Sequence, residues 1–344
     1  MCDYSSVCII IHYRRRPWSA APSRNAPRPA RPAAPSDLVR DDDFSPAGAG
    51  AVLDLAAEVK ARPQRFATAL AGRTLAVLFE KRSLRTRLTF ELAIQTLGGN
   101  SVFMDTGPQR IPDREPIADI ARNLERWVDA VALRTFSHTT VEEFAKWARI
   151  PVINGLSELF HPCQALTDWF TLSEIFGRKA LHSGRVTLAF VGDGNNVAHS
   201  LMLTGALCGA HLRLACPKAY QPQEEIVAAA RRIARKTGSR LELFPDRPEK
   251  AVEGAHGVYT DVWASMGFEH EAAERAQIFA PYQVTPELMS HAARNAVFMH
   301  CLPAHRGEEV AEEVIESKRS VVFDQAENRL HVAKAILLTL LSNP

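Results

Sequence analysis

Residues 83 to 87, Ser-Leu-Arg-Thr-Arg, place two hydroxyls and two guanidinium groups within five positions. Before them runs an apolar stretch, Leu75 to Phe79, with the length and composition of a buried strand. Ser83 then stands where a helix N-cap belongs, and Thr89, Phe90 and Ala93 carry the helix onward. A helix start presents unpaired N–H groups and the positive end of the macrodipole, so it draws anions, phosphate above all. Ser83 and Thr86 add hydroxyl donors, and Arg85 can grip a phosphate with two parallel hydrogen bonds. Arg85 and Arg87 also oppose the dipole, a local cost that a bound anion offsets. A solvated helix start is the competing reading of this segment taken alone, since capping serines are common.

Further clusters follow other apolar runs. The run 129–133 ends in Arg134-Thr135-Phe136, and 150–153 leads to Asn154 and then HPCQ, His161 to Gln164. The run 185–191 ends in GDGNN, Gly192 to Asn196, and 257–260 ends in Asp261, followed by VWASMG through Gly267. Next come HCLP, His300 to Pro303, and FDQAENR, which places Arg329 at the start of a terminal helix. Arg85, Arg134 and Arg329 supply positive charge for an oxyanion, with His161 and Gln164 as neutral hydrogen-bonding partners. Asn196, Asp261 and Ser265 suit the charged groups of an amino acid.

Each cluster has a plainer reading. His161 before Pro162 can be a capping histidine, and Cys301 an inert buried thiol. His300, Cys301 and His305 match no standard zinc spacing, so no metal is expected. GDGNNV offers Gly-x-Gly but has Val197 where a dinucleotide loop needs its third glycine. The following strand then runs into Cys216-Pro217 rather than a ribose-binding acid. A nicotinamide oxidoreductase is disfavoured on both counts.

The elements that must position these groups alternate. Strand patterns at 74–79, 101–104, 129–134 and 150–153 are separated by helical patterns at 84–97, 116–127 and 140–148. A helix at 162–177 leads to a second series of strands, at 185–191, 211–215, 240–243, 257–260, 296–299 and 320–323. Helical stretches at 196–208, 222–237, 285–291 and 308–316 lie between them, and the chain closes on a helix at 327–341. The expected fold class is α/β: two doubly wound parallel-sheet domains joined by interdomain helices, with a disordered N-terminal extension. In open parallel sheets ligands sit at the carboxyl ends of strands, which is where every cluster falls.

The bulk numbers agree. With 344 residues, 46% of them hydrophobic, the chain can build two cores. The 41 basic and 39 acidic residues leave a net charge of +2, which argues against nucleic acid as a partner. Cys2, Cys8, Cys163, Cys208, Cys216 and Cys301 show no paired spacing, so a reducing compartment, the cytoplasm, fits best. No apolar run approaches the ~20 residues that span a bilayer, and no membrane association is expected. From His12 to Ser36 there are six arginines, six prolines and no acidic residue, so residues 1–36 are expected to be disordered. Organellar targeting by that segment stays open, although six prolines would spoil an amphipathic transit helix.

SLRTR, RTF, HPCQ, GDGNN, DVWASMG, HCLPAHRGEEV and FDQAENR, in this order, resemble the motifs of the aspartate/ornithine carbamoyltransferase family over about residues 44 to 341. The resemblance implies a carbamoyl phosphate-binding domain at 37–165, completed by the helix 327–341, and an ornithine-binding domain at 166–326. It implies transfer of the carbamoyl group from carbamoyl phosphate to the δ-amine of L-ornithine, giving L-citrulline and phosphate in arginine metabolism, with no cofactor. It assigns Ser83, Leu84, Arg85, Thr86, Arg87, Arg134, His161, Gln164, Cys301, Leu302 and Arg329 to carbamoyl phosphate, with Gln109 offered across a subunit boundary. Asn196, Asp261, Ser265 and Met266 fall to ornithine, and Asp261 and Cys301 to accepting or steering the proton of the attacking amine. A homotrimer with active sites at subunit interfaces, and closure of the two domains, are implied as well. Leu84 stands where ornithine-type members carry Thr, a form shared with acetylornithine and succinylornithine carbamoyltransferases. DVWASMG and HCLPAHRG carry the ornithine pattern, so the acylated substrates are the alternative. A catalytically dead relative is disfavoured by the intact Arg85, Arg134, His161, Cys301 and Arg329.

Overall fold

Strand and helix alternate along the chain, as the hydrophobic pattern requires, and build two all-parallel sheets. The computed structural model describes residues 36–106, 110–264 and 271–342. The expectation for residues 1–36 therefore lies, but for Ser36, outside the described residues. The first sheet holds β1 (Thr74–Phe79), β2 (Asn100–Asp105), β3 (Ala130–Arg134) and β4 (Val152–Leu156), in the order β2-β1-β3-β4. The second holds β5 (Thr187–Val191), β6 (His211–Ala215), β7 (Leu241–Leu243), β8 (Gly257–Thr260) and β9 (Val297–His300), in the order β7-β6-β5-β8-β9. The order reverses between β1 and β3 in one sheet and between β5 and β8 in the other. Both are switch points, where flanking loops part and leave a crevice at the carboxyl ends.

Phe79 of β1 pairs with Arg134 of β3, so the arginine leaves the sheet beside the turn that leads to Ser83. The β3–β4 register slips there, from Leu133 opposite Asn154 to Arg134 opposite Leu156, with Gly155 as the extra residue. A Cβ on Gly155 would meet the Leu133 carbonyl oxygen at 2.9 Å, so only glycine allows this approach. In the second sheet Thr260 pairs with His300, which sets the residues that follow, Asp261 and Cys301, side by side.

Helix Pro162–Phe176 leaves the first sheet and packs on Asn196–Leu207 of the second. Trp169, fully buried, fills the space over Gly205, where a Cβ would come within 2.6 Å of the indole. The last helix, Val322–Leu341, packs on Pro46–Ala61, Leu84–Thr96 and Pro162–Phe176, so it returns the chain to the first sheet. One continuous apolar cluster runs through both sheets and these helices.

Two assignments need correcting. The run 320–323 is not a strand. Ser320 makes only an isolated bridge to Phe298, and Val322 already begins the final helix. A short apolar run of this kind reads alike as strand or helix start, and here Val321 accepts the Gln325 N–H in helical fashion. Arg329 consequently sits well inside the helix rather than at its start. The 308–316 helix shrinks to Glu312–Ile315, because Arg306 and Val310 are drawn into bridges. Helices Ile111–Arg114, Pro248–Val252 and Ala272–Phe279 carry too little periodicity to have been read. No helix among the described residues is long and apolar enough to cross a membrane.

Candidate active site

The Ser83 hydroxyl caps Leu84–Thr96, accepting the Thr86 N–H at 3.3 Å. The Thr86 hydroxyl accepts from two arginines far apart in sequence, Arg134 at 3.4 Å and Arg329 at 3.0 Å. Arg329 also donates to the Gln164 carbonyl oxygen. Among the described residues neither guanidinium meets a carboxylate, and the Nε of each is buried without a partner. Burial and the neighbouring Arg329 charge pull Arg134 down to about 10, and burial lowers Arg329 as well. Two like charges held together in a dry crevice are costly unless an anion joins them.

His161 sits against this pair. Its value is driven well below the usual histidine range, first by burial and then by the charges of Arg329 and Arg134, so the imidazole is neutral. Its backbone N–H donates to Ser200 Oγ at 2.8 Å, and that hydroxyl donates to Asp41 at 2.6 Å. Thr204 donates to the same carboxyl at 2.7 Å.

Burial pushes Asp41 up to about 7 against those hydrogen bonds. A carboxyl whose folded value lies above its unfolded one stabilises the fold as the protonated form. The contribution is full below the unfolded value of 3.8 and is lost as pH rises through about 7. Asp41→Asn lacks the titration. The unfolding free energy of wild type relative to Asp41→Asn should therefore fall by about 2 kcal/mol between pH 5 and pH 8. Urea midpoints whose difference stays constant over that range would place the titration elsewhere.

The second half of the cleft forms at the ends of β5, β8 and β9. Asp261 Oδ2 accepts from Asn195 Nδ2 at 2.8 Å, and Oδ1 accepts the Cys301 thiol at 3.0 Å. Burial, then the Asp261 charge, raise Cys301 well above the normal thiol range, so the sulfur keeps its proton. Asn195 Oδ1 caps Asn196–Leu207 through the Val197 and Ala198 N–H groups, while Asn196 donates to the Ser157 carbonyl oxygen at 2.6 Å. The Leu302 N–H donates to His300 Nδ1 at 2.8 Å, which leaves Nε2 to donate to buried Glu309 at 3.2 Å. Leu302 itself adopts a left-handed backbone, φ +59°. Donor atoms of Asp261, His300 and Cys301 approach within 4.8 Å, but both His300 nitrogens are committed to Leu302 and Glu309, which leaves poor material for a metal.

Both halves open on one cleft of about 730 Å³. Of the residues singled out in the sequence, Ser83, Leu84, Arg85, Thr86, Arg134, His161, Gln164, Asn196, Asp261, Cys301, Leu302 and Arg329 line it. Leu84 lies at the rim, 72% exposed. Arg87 is turned away, stacked 3.7 Å over Phe103 and paired with Glu91 at 3.3 Å. Gln109, Ser265 and Met266 lie outside the described residues. Sequence reasoning passed over Asn195, Glu309 and Arg275. Asn195 shows itself as a cap after GDG, and Glu309 is the second glutamate of the HCLPAHRGEEV motif. Arg275, which lines the cleft and bonds Asp193 at 2.7 Å, gives no sequence signal.

Comparison with known proteins adds an independent finding. The family model "Aspartate/ornithine carbamoyltransferase, carbamoyl-P binding domain" matches residues 36–174, and "Aspartate/ornithine carbamoyltransferase, Asp/Orn binding domain" matches residues 185–340. The chain is 47% identical to an ornithine carbamoyltransferase of Pyrococcus abyssi over 310 residues, 89% of this chain and 95% of that one. It is 51% identical to the anabolic ornithine carbamoyltransferase of Pyrococcus furiosus over 268 residues, 78% of this chain and 84% of that one. The solved structure of an ornithine carbamoyltransferase from Pyrococcus furiosus superposes with a TM-score of 0.85 at 46% identity, covering 90% of this chain and 98% of that one.

Proposed function

The chain belongs to the aspartate/ornithine carbamoyltransferase family, and from that premise we propose that it carbamoylates the δ-amine of L-ornithine with carbamoyl phosphate, yielding L-citrulline and phosphate. The observation that carries this reading is one cleft with two characters. One wall holds paired, buried guanidinium groups without carboxylates, and the facing wall holds a carboxylate beside a protonated thiol. Phosphate belongs to the first wall and a cationic amino acid to the second.

In this mechanism Ser83, Arg85, Thr86, Arg134 and Arg329 hold the phosphate. Neutral His161 and Arg134 polarise the carbamoyl oxygen, where negative charge grows as the amine attacks. The ornithine δ-amine, with a reference value near ~10.4, must arrive as the free base. Its nitrogen bonds the carbamoyl carbon, the carbon–oxygen bond to phosphate breaks, and the nitrogen's surplus proton passes to the departing phosphate. Cys301 keeps its own proton and orients the attacking amine. Asp261, hydrogen-bonded to that thiol and to Asn195, serves the other end of the amino acid, so neither takes the amine's proton in this reading. Asp261 supplies negative charge for the α-ammonium group, with Asn196, Ser265 and Met266 beside it. Residues 37–165 with the last helix would form the carbamoyl phosphate domain, and 166–326 the ornithine domain.

The relatives' names favour ornithine over its acylated forms, and the anabolic relative favours a biosynthetic role; arginine formation in the cytoplasm is the setting this reading proposes. A homotrimer is part of the proposal. Leu84, Leu88 and Leu92 form an exposed apolar stripe at helical spacing, and Val102 and Met104 are exposed on the edge strand β2. That surface suits burial by a second copy, and a sedimentation mass of one chain would remove the idea. The deciding assay offers ornithine, N-acetylornithine and N-succinylornithine in parallel with carbamoyl phosphate. Citrulline formation is expected with turnover of ornithine at least tenfold above either acylated form. Equal use of N-acetylornithine would move the assignment to the acylated substrates.

A further inference from the structure

Asp168 lies one helical turn past Gln164 and is fully buried. Its Oδ1 accepts from two side-chain amides, Gln164 Nε2 at 2.7 Å and Gln325 Nε2 at 2.6 Å. An ionised carboxylate only accepts hydrogen bonds and a guanidinium only donates them. Gln164, held between Asp168 and Arg329, therefore has one allowed orientation, with its nitrogen on Asp168 and its carbonyl oxygen toward Arg329. The same reasoning fixes Gln325. Its nitrogen also donates to the Tyr259 hydroxyl at 3.3 Å, and its carbonyl oxygen takes the His300 N–H at 3.0 Å. His300 directly precedes Cys301, so one buried oxygen sets the polarity of two amides that serve opposite walls of the cleft.

We propose that Asp168 is a positioning residue for carbamoyl transfer, which keeps the Gln164 carbonyl oxygen facing the cleft to accept from the carbamoyl NH₂ group, and through Gln325 holds the peptide that carries Cys301. The proposal rests on the carbamoyl phosphate reading above. A carbamoyl NH₂ donates and needs an acceptor, whereas phosphate oxygens need donors, so the Gln164 carbonyl serves the amide end and not the phosphate end. Burial raises Asp168 to about 7, opposed by Gln164, Gln325, Tyr259 and the Arg329 charge, so the test is set at pH 8 with the carboxylate ionised.

Two ligands separate positioning from general damage: inorganic phosphate, and a phosphonate bearing a terminal carboxamide. Wild type should bind the carboxamide more tightly than phosphate. In Asp168→Ala the carboxamide should weaken about tenfold while phosphate stays within about twofold, and kcat for citrulline should fall. Asp168→Asn, which keeps an acceptor oxygen, should restore most of the preference. Asp168→Ser cannot reach either amide and gives the same readout if the alanine variant does not fold. Equal weakening of both ligands, or no change in either, overturns the proposal. A wild type with no preference for the carboxamide would instead remove the carbamoyl phosphate reading, and the proposal with it.

Discussion

Arg134→Ala should lower kcat/KM for carbamoyl phosphate by about 10²–10³-fold while leaving the ligand-free protein at least as stable as wild type. The two halves of this expectation come from the same geometry. The Arg134 guanidinium is buried beside Arg329 and held by the neutral Thr86 hydroxyl. Its value is pulled from 12.5 to about 10 by burial and then by Arg329. For a base, a folded value below the unfolded one means that the charged form is disfavoured by folding. The cost is complete at every pH below about 10 and is relieved only above it, so at pH 7 the fold carries it in full. A shift of this size corresponds to a cost on the order of 3 kcal/mol, part of which the lost packing of the side chain will offset. Phosphate should reverse the order. It should raise the melting temperature of wild type clearly and that of Arg134→Ala little, because the variant has one buried cation fewer to bind it. Equal phosphate-induced shifts in the two proteins would show that Arg134 does not face the anion.

The contrast with Arg87 shows where sequence stops being informative. Both Arg85 and Arg87 lie in the first turn of Leu84–Thr96, and composition treats them alike. At 100° per residue, two positions apart on a helix means roughly 200° around its axis, so one helix start cannot aim both at the same ligand. Arg85 lines the cleft and Arg87 stacks on Phe103. Features fixed within a few residues were legible: the Ser83 cap, the strand ends at Arg134 and Asp261, and the alternation that gives two parallel sheets. Features fixed by partners distant in sequence were not. Asp41 meets Ser200, Asp168 meets Gln325, and Thr86 meets Arg329 only because two sheets and four helices bring them together. The 320–323 assignment failed for a related reason. Three apolar residues satisfy a strand or a helix start equally, and the packing of the last helix across both domains decides between them.

Asp261→Asn carries the largest expected loss on the amino acid side, and it tests what the carboxylate does. The substitution preserves shape and can keep the contact to Asn195 or the one to Cys301, but it removes the charge. If Asp261 anchors the α-ammonium of ornithine, the variant should lose about 10²–10³-fold in kcat/KM for ornithine, most of it in KM. An uncharged side chain no longer distinguishes a charged α-ammonium from an acylated nitrogen, so the ratio of ornithine to N-acetylornithine turnover should also collapse toward one. Phosphate binding should stay within about twofold, because the anion pocket is built from other strand ends. The pH profile supplies the separate check. With the thiol of Cys301 protonated and the departing phosphate taking the proton, kcat/KM for ornithine should rise with pH in wild type and variant alike, following ionisation of the δ-ammonium group. A loss confined to kcat, together with disappearance of that rise in Asp261→Asn, would make Asp261 the proton acceptor and assign the α-ammonium to other groups.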